Sequence, residues 1–215
     1  MKGINFGNIH SFYDLNLVLA PFTPTPAQPK TNYIDLAGGE GSLDLTEVHG
    51  EVKFYDRDFT FTFSVHPSDT MTFDEKVTQV SNALNGKKCK ITLDRDEEYY
   101  WEGRCVVDSY LQDKNLKQIV IKATVKPYKM KVTETVVSKT LSSDLVEVIM
   151  TNGRKSVVPE ITCTDNNTKV VFGSIEKMLS AGTHRILDFQ FKEGANVLKV
   201  SGSGTITFKY REGML

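Results

Sequence analysis

Apolar and polar residues alternate along much of this chain, and a period of two predicts half-buried β-strands. The clearest stretch lies in Lys53–Val65. There Phe59, Phe61, Phe63 and Val65 share one face, Thr60, Thr62 and Ser64 take the other, and Asp56-Arg57-Asp58 interrupts the pattern just before. A second stretch, Tyr33–Glu47 (YIDLAGGEGSLDLTE), places Ile34 and Leu36, then Leu43 and Leu45, on either side of Gly38-Gly39-Glu40-Gly41. Three glycines in four residues predict a turn, because glycine adopts positive φ without a Cβ penalty. The segment therefore reads as a hairpin of two strands, each with one buried face. The period changes once. Thr72-Phe73-Asp74-Glu75 fits a capping box, Phe73, Val77, Val80 and Leu84 recur as one helical stripe, and Asn85-Gly86 supplies the stop. These signals predict a single helix at about 72–85.

Strands are also expected at Lys90–Leu93, Tyr99–Val107 and Ile119–Val125, with turns at Asp94–Glu98 and Gln112–Leu116. Lys126-Pro127-Tyr128-Lys129 marks a boundary, since proline has no amide to donate to a ladder. Beyond it the chain turns to Val, Thr, Ser and Gly with no helical period. Expected strands are Glu134–Met150, Val157–Thr164, Lys169–Phe172, Thr183–Phe191, Asn196–Ser201 and Gly204–Tyr210, punctuated by Asn152-Gly153 and Glu193-Gly194. The reading is a mainly β protein. Residues 1–128 would form a barrel- or sandwich-like β domain with one helix, and residues 129–215 a small β-sandwich. The prolines of Pro21–Pro29 predict a stiff extended loop.

Length and composition suit a soluble globular protein: 215 residues, 40% hydrophobic, 25% charged. With 26 basic against 27 acidic residues, the chain lacks the clustered positive surplus that gripping nucleic acid requires. The apolar patch at Leu15–Pro21 is too short for a signal peptide, and no run reaches the length of a membrane span, so membrane insertion is not expected. Cys89, Cys105 and Cys163 form no CxxC pair and read as separate thiols of a protein made in a reducing cytoplasm. Asn166-Asn167-Thr168 matches a glycosylation sequon but reads as an Asn-rich turn.

Candidate chemistry is sparse. Gly38-Gly39-Glu40-Gly41 makes a poor phosphate cradle, because a strand follows instead of a helix and Glu40 would repel an anion. Asp94, Asp96, Glu97 and Glu98 lack the glycine and distal glutamate of a calcium loop. His10, His49, His66 and His184 share no ligand spacing, and neither Ser42 nor Ser174 sits in a nucleophile elbow. Trp101, with Tyr99 and Tyr100, offers a candidate surface aromatic for stacking on sugars or bases. In an alternating strand two of the three rings share one face, so core packing with one exposed ring is the favoured account. No catalytic residue, cofactor-binding residue or metal ligand is assigned, and no enzyme is expected.

Taken in order, several segments resemble one family, the distal tail (Dit-like) proteins of bacteriophages with long, non-contractile tails, and of prophages. Gly3-Ile4-Asn5-Phe6-Gly7-Asn8 is similar to the family's opening, and Tyr33–Glu47 to its most distinctive block. Arg57–Phe63, Tyr99-Tyr100-Trp101-Glu102-Gly103-Arg104 and Lys126-Pro127-Tyr128-Lys129 resemble its following strands and its junction. Asn152-Gly153, Pro159-Glu160-Ile161, Glu193–Leu198 and Arg211–Leu215 match the second half. The resemblance implies a structural virion protein of the tail, assembled in the bacterial host cytoplasm. The first domain would close into a homohexameric ring between the tail tube protein and the tail tip or baseplate, with the tape-measure protein and DNA passing through. The second would be a galectin-like sandwich. Ring contacts are expected at Gly38, Gly39, Glu40, Gly41, Ser42, Leu43 and Asp44, and at Pro24 and Pro26. The alternative is a carbohydrate-binding protein acting in host surface recognition through Trp101 and the C-terminal sandwich.

Overall fold

The structure, a computed structural model, describes residues 3–48, 50–114 and 116–215; His49 lies outside them. The chain divides into two compact units, Met1–Lys129 and Met130–Leu215.

The first unit runs through β1 (Ile4–Phe6), β2 (Ile9–His10), β3 (Leu17–Leu19), β4 (Tyr33–Asp35), β5 (Ser42–Asp44) and β6 (Arg57–Val65). It continues with α1 (Phe73–Leu84), β7 (Lys88–Leu93), β8 (Tyr99–Gln112) and β9 (Lys117–Val125). Its main sheet has the order β2-β1-β7-β8-β9-β6-β3, and β4 pairs only with β5. The alternation read from the sequence is realised in β6, whose Phe59, Phe61 and Phe63 are buried while Asp58 and Thr60 are exposed. Phe6 on β1 meets Phe61 and Phe63 edge-on, at 5.7 and 6.2 Å between ring centroids. Strands far apart in the sheet order thus touch across the interior, so the sheet curls over a shared core. The amide of Leu17 donating to the Ser11 carbonyl (2.8 Å) draws the β2 and β3 ends together.

Helix α1 begins at the capping box. The Glu75 amide donates to Thr72 Oγ1 (3.3 Å) while the Thr72 amide donates to Glu75 Oε2 (2.9 Å). It buries Phe73, Val80 and Leu84, and also Lys76, which the stripe did not contain. Lys76 Nζ lies 2.6 Å from Asp69 Oδ2 and donates to the Leu15 carbonyl (3.1 Å) and to Gln79 Oε1 (2.8 Å). An ammonium can be buried because carboxylate and carbonyl replace its water. Strand β8 is longer than Tyr99–Val107, continuing past a bulge between Val107 and Ser109. Gly103 sits where β9 leaves no room for a side chain: a Cβ would lie 2.5 Å from the Thr124 carbonyl oxygen.

After β10 (Lys129–Lys131), the second unit holds β11 (Thr135–Thr140), β12 (Val146–Asn152), β13 (Glu160–Cys163), β14 (Thr168–Phe172) and β15 (Ile175–Leu179). The last strands are β16 (Gly182–His184), β17 (Gly194–Ser201), β18 (Thr205–Tyr210) and β19 (Gly213–Met214). Two sheets of order β11-β18-β13-β16 and β12-β17-β14-β15 enclose Met150, Ile161, Val170, Phe189, Phe191, Leu198, Ile206 and Phe208. The stretch expected as one strand at Glu134–Met150 is two strands, β11 and β12, in different sheets, because the chain leaves the ladder at Leu141–Leu145. Thr183–Phe191 is also not continuous. After His184 only Phe191 pairs, in a bridge to Val157, while the buried Phe189 and Phe191 fill the core from a loop. The Asn166-Asn167 segment is a turn, with Asn167 at φ 62°.

Candidate functional site

The hairpin of Tyr33–Glu47 forms with the register Tyr33↔Asp44, Ile34↔Leu43 and Asp35↔Ser42. Gly38 and Gly41 hold φ of 78° and 77°, as the turn requires. Ser42 Oγ donates to Asp35 Oδ1 (2.7 Å), and the Thr46 amide donates to Asp44 Oδ1 (2.9 Å). The Thr46 bonds hold the Asp44 carboxyl below its ordinary pKa. The expectation of one buried face is wrong for this chain. Every residue of both strands is exposed, including Tyr33 at 58%, Ile34 at 48% and Leu43 at 49%, and Leu36 beside them at 51%. No other strand of the described residues pairs with the ribbon. An isolated two-stranded hairpin is at best marginally stable in water, and this one leaves its apolar residues about half exposed. Asp35, Glu40, Asp44 and Glu47 give it four acidic residues and no Lys or Arg between Tyr33 and Val48.

The Pro21–Pro29 segment is extended, but most of it is pinned. Phe22 is buried, its ring 4.5 Å from Phe61 and 5.4 Å from Phe59. Thr25 Oγ1 donates to the Asp58 carbonyl (2.9 Å), and Arg57 Nε donates to the Thr25 carbonyl (2.6 Å). Pro29 forms a bridge with Phe54. Pro24 is thereby half-buried and Pro26 exposed. Sequence reading did not single out Arg57 as the clasp. Its guanidinium stacks over Phe59 (5.2 Å) and Trp101 (5.7 Å), also donates to the Pro127 carbonyl (3.1 Å), and has its pKa lowered by burial.

Trp101 is not a surface aromatic. It is 3% exposed and packs edge-on against Phe59 at 5.3 Å. Tyr100 is buried as well and Tyr99 only half-exposed, so the three rings do not form a stacking platform. The cause is the pairing of β8 between β7 and β9, which turns the large indole into the curled sheet.

His10, Asp94 and Asp96 serve structural bonds. His10 accepts the amides of Phe12 (3.0 Å) and Tyr13 (3.1 Å) at Nδ1, which assigns the proton to Nε2, 3.1 Å from Asp94 Oδ1. Asp96 pairs with Lys129 at 2.6 Å. Two carboxylates that sequence spacing could not unite, Glu134 and Glu160, line one cavity of about 290 Å³ in the second unit with Lys155, Arg185, Lys209 and Arg211. Glu134 lies 3.0 Å from Lys209 and 3.3 Å from Arg211, and the Lys209 contact pulls its pKa down, so it is unsuited to hold a proton for general acid work. Among the described residues, no group of three or more His, Cys, Asp or Glu could hold a metal ion, and no helix is long and apolar enough to cross a membrane.

Two buried asparagines give physical content to motifs of the second half. Asn152 Nδ2 donates to the carbonyls of Lys155 (2.9 Å) and Phe191 (3.2 Å). Asn196 bridges its own loop, accepting the Lys192 amide (2.9 Å) and donating to the Lys192 carbonyl (2.8 Å). Asn196 thus uses both the acceptor and the donor of its amide to close its loop, whereas Asn152 acts through its donor.

No known family profile matches the sequence, and no curated protein does. Among solved structures, the Dit protein (gp 19.1) of SPP1, described as a paradigm of the hub adsorption apparatus in phages infecting Gram-positive bacteria, superposes with a TM-score of 0.69. The identity is 12%, covering 97% of this chain and 98% of that one. A chain of the phage P2 baseplate in its activated conformation gives a TM-score of 0.34 at 7% identity, covering 93% and 92%, too low to support an argument. The chain, mainly β in both units, has the fold of the SPP1 Dit protein.

Proposed function

We propose that this chain is a Dit-like structural component of a phage or prophage tail, a hub in which copies of one subunit join the tail tube to the tip or baseplate. The observation that carries the reading is the match to the SPP1 Dit protein over nearly the full length of both chains, reached after an ordered series of sequence resemblances. In this reading the first unit builds a hexameric ring and the second is a galectin-like sandwich. The ring leaves a passage for the tape-measure protein and then DNA. A near-neutral chain suits a conduit that must not retain a polyanion. The subunit is made in the host cytoplasm and ends in the virion tail.

Ring closure needs heterologous contacts, in which one surface of a subunit meets a different surface of the next. The β4–β5 ribbon suits the projecting half of such a contact, since the described residues leave its apolar side chains about half exposed. Gly38 to Asp44 would then lie in the interface, with Pro24 and Pro26 beside it. The fold itself confers no chemistry, and no enzymatic role is proposed. Negative-stain microscopy of the purified chain, alone and with tail-tube and tip proteins, tests the reading. Rings of six subunits are expected; solitary particles in both preparations would end it.

A further inference from the structure

The cysteines that look separate in sequence are not all separate in space. Cys89 on β7 and Cys105 on β8 lie on adjacent antiparallel strands, with their sulfurs 3.5 Å apart. The residue in register with Cys89 is Gly103, so no side chain stands between Cys89 and the diagonal approach of Cys105. On its other flank runs Gly7, where even an added Cβ would stay 3.8 Å from the Cys89 Cβ. Both glycines keep side chains off these flanks of Cys89, which itself packs against the core of the first unit. A disulfide needs sulfurs at about 2.05 Å, so closure requires an approach of about 1.5 Å. Access is unequal: Cys89 is half-buried, whereas Cys105 is fully buried.

We infer that Cys89 and Cys105 form a reversible modification site, in which a small disulfide such as oxidised glutathione converts the pair into an intrachain bridge. The thiolate of Cys89 attacks one sulfur of the incoming disulfide and expels the first glutathione as a thiolate. Cys105 gives its proton to that expelled thiolate, attacks the Cys89 sulfur of the mixed disulfide and expels the second glutathione. Two protein thiols are oxidised and one glutathione disulfide is reduced to two thiols, so electrons and protons balance. The contact between the two sulfurs favours Cys89 as the first attacker, because it holds the Cys89 thiol below its ordinary pKa. The bridge would latch β7 to β8. It stays open in a reducing cytoplasm and closes in oxidising surroundings, and its chemistry does not depend on ring assembly.

The test uses the full chain, folded, with oxidised glutathione, followed by thiol titration, intact mass and peptide mapping. Wild type is expected to lose two of its three thiols, to become lighter by two hydrogens, and to yield a Cys89–Cys105 linked peptide. Its thermal midpoint should rise by several degrees. Cys105→Ser should accumulate a glutathione adduct at Cys89, and Cys89→Ser should leave Cys105 unmodified. A wild-type chain that keeps all three thiols, or that stops at a persistent adduct, would overturn the inference. Mapping on wild type alone decides this if either variant fails to fold.

Discussion

Two stretches of the first unit share one sequence pattern and meet opposite fates. Strand β6 and the β4–β5 ribbon both alternate apolar with polar residues. The phenylalanines of β6 are fully covered, yet Ile34, Leu36 and Leu43 of the ribbon remain about half exposed. Periodicity fixes which side chains share a face; it does not say what covers that face. On β6 the cover comes from the same chain, through Phe6 and Phe22. On the ribbon none of the described residues supplies a full cover. The difference separates residues that hold the subunit together from residues available to another molecule.

The sharpest way to break the comparison is to truncate the covered side. Phe61 is fully buried and touches the rings of Phe6, Phe22, Phe59 and Phe63. Phe61→Ala should cost about 3–5 kcal/mol, a large share of the roughly 5–15 kcal/mol that stabilises an ordinary domain. Urea unfolding monitored by tryptophan fluorescence reads this directly, since Trp101 lies in the same core. A loss under about 1 kcal/mol would mean the core does not pack as described.

Next in size is the buried ion pair of α1. Lys76→Met leaves the Asp69 carboxylate buried without its cation, at a cost of about 3 kcal/mol. Restoring a neutral pair with Asp69→Leu in the same chain should recover much of that loss, because two apolar groups need no water replaced. A double-mutant cycle in urea checks it. Additive losses would show that the two groups are not coupled.

The elements most legible in the sequence were those whose cause is local. The capping box at Thr72 and Glu75, the glycine turn at Gly38–Gly41 and the β6 alternation all follow from residues within a few positions of one another. What escaped depends on partners distant in the chain. Lys76 lies outside the apolar stripe of its helix and is buried because Asp69 and the Leu15 carbonyl close over it. Alternation divides Trp101 and its two tyrosines between core and surface without saying which ring is buried; β7 and β9 flanking the strand and Phe59 meeting the indole decide that for Trp101. Cys89 and Cys105 read as unrelated thiols until the β7–β8 register fixes their spacing. The exposure of the ribbon escaped for a different reason, since alternation looks the same whether the cover is supplied within the chain or from outside it.

Acidification gives a smaller effect with a definite sign. Burial alone would raise the Asp69 carboxyl, but the bonds from Lys76 and the Met71 amide outweigh it and hold the pKa below the ordinary value. A carboxylate depressed in the folded state stabilises it above the unfolded pKa of about 4, and that contribution fades as pH falls through the folded value. Wild type should therefore lose stability progressively below about pH 4. In Lys76→Met the uncompensated carboxyl should titrate high instead, and protonation should relieve its burial, so that variant loses less on acidification or gains. Unfolding midpoints of the two proteins between pH 3 and 7 make the comparison. Parallel curves would show that Lys76 does not set the Asp69 titration.

The smallest effect on stability is expected on the uncovered side. Ile34→Ser with Leu43→Ser replaces a directly opposed apolar pair that is already half in water. Subunit stability should therefore shift by no more than about 0.5 kcal/mol. If the ribbon is the projecting half of a contact between copies, the same double variant should abolish rings that wild type forms under identical conditions. The two readouts must diverge for the comparison with β6 to hold. Loss of stability together with loss of rings would place the ribbon among the residues that hold the subunit together. Unchanged stability with unchanged rings would leave ring formation intact and move the contact elsewhere on the subunit. Only a well-folded subunit that no longer assembles assigns the exposed apolar face to a neighbouring copy.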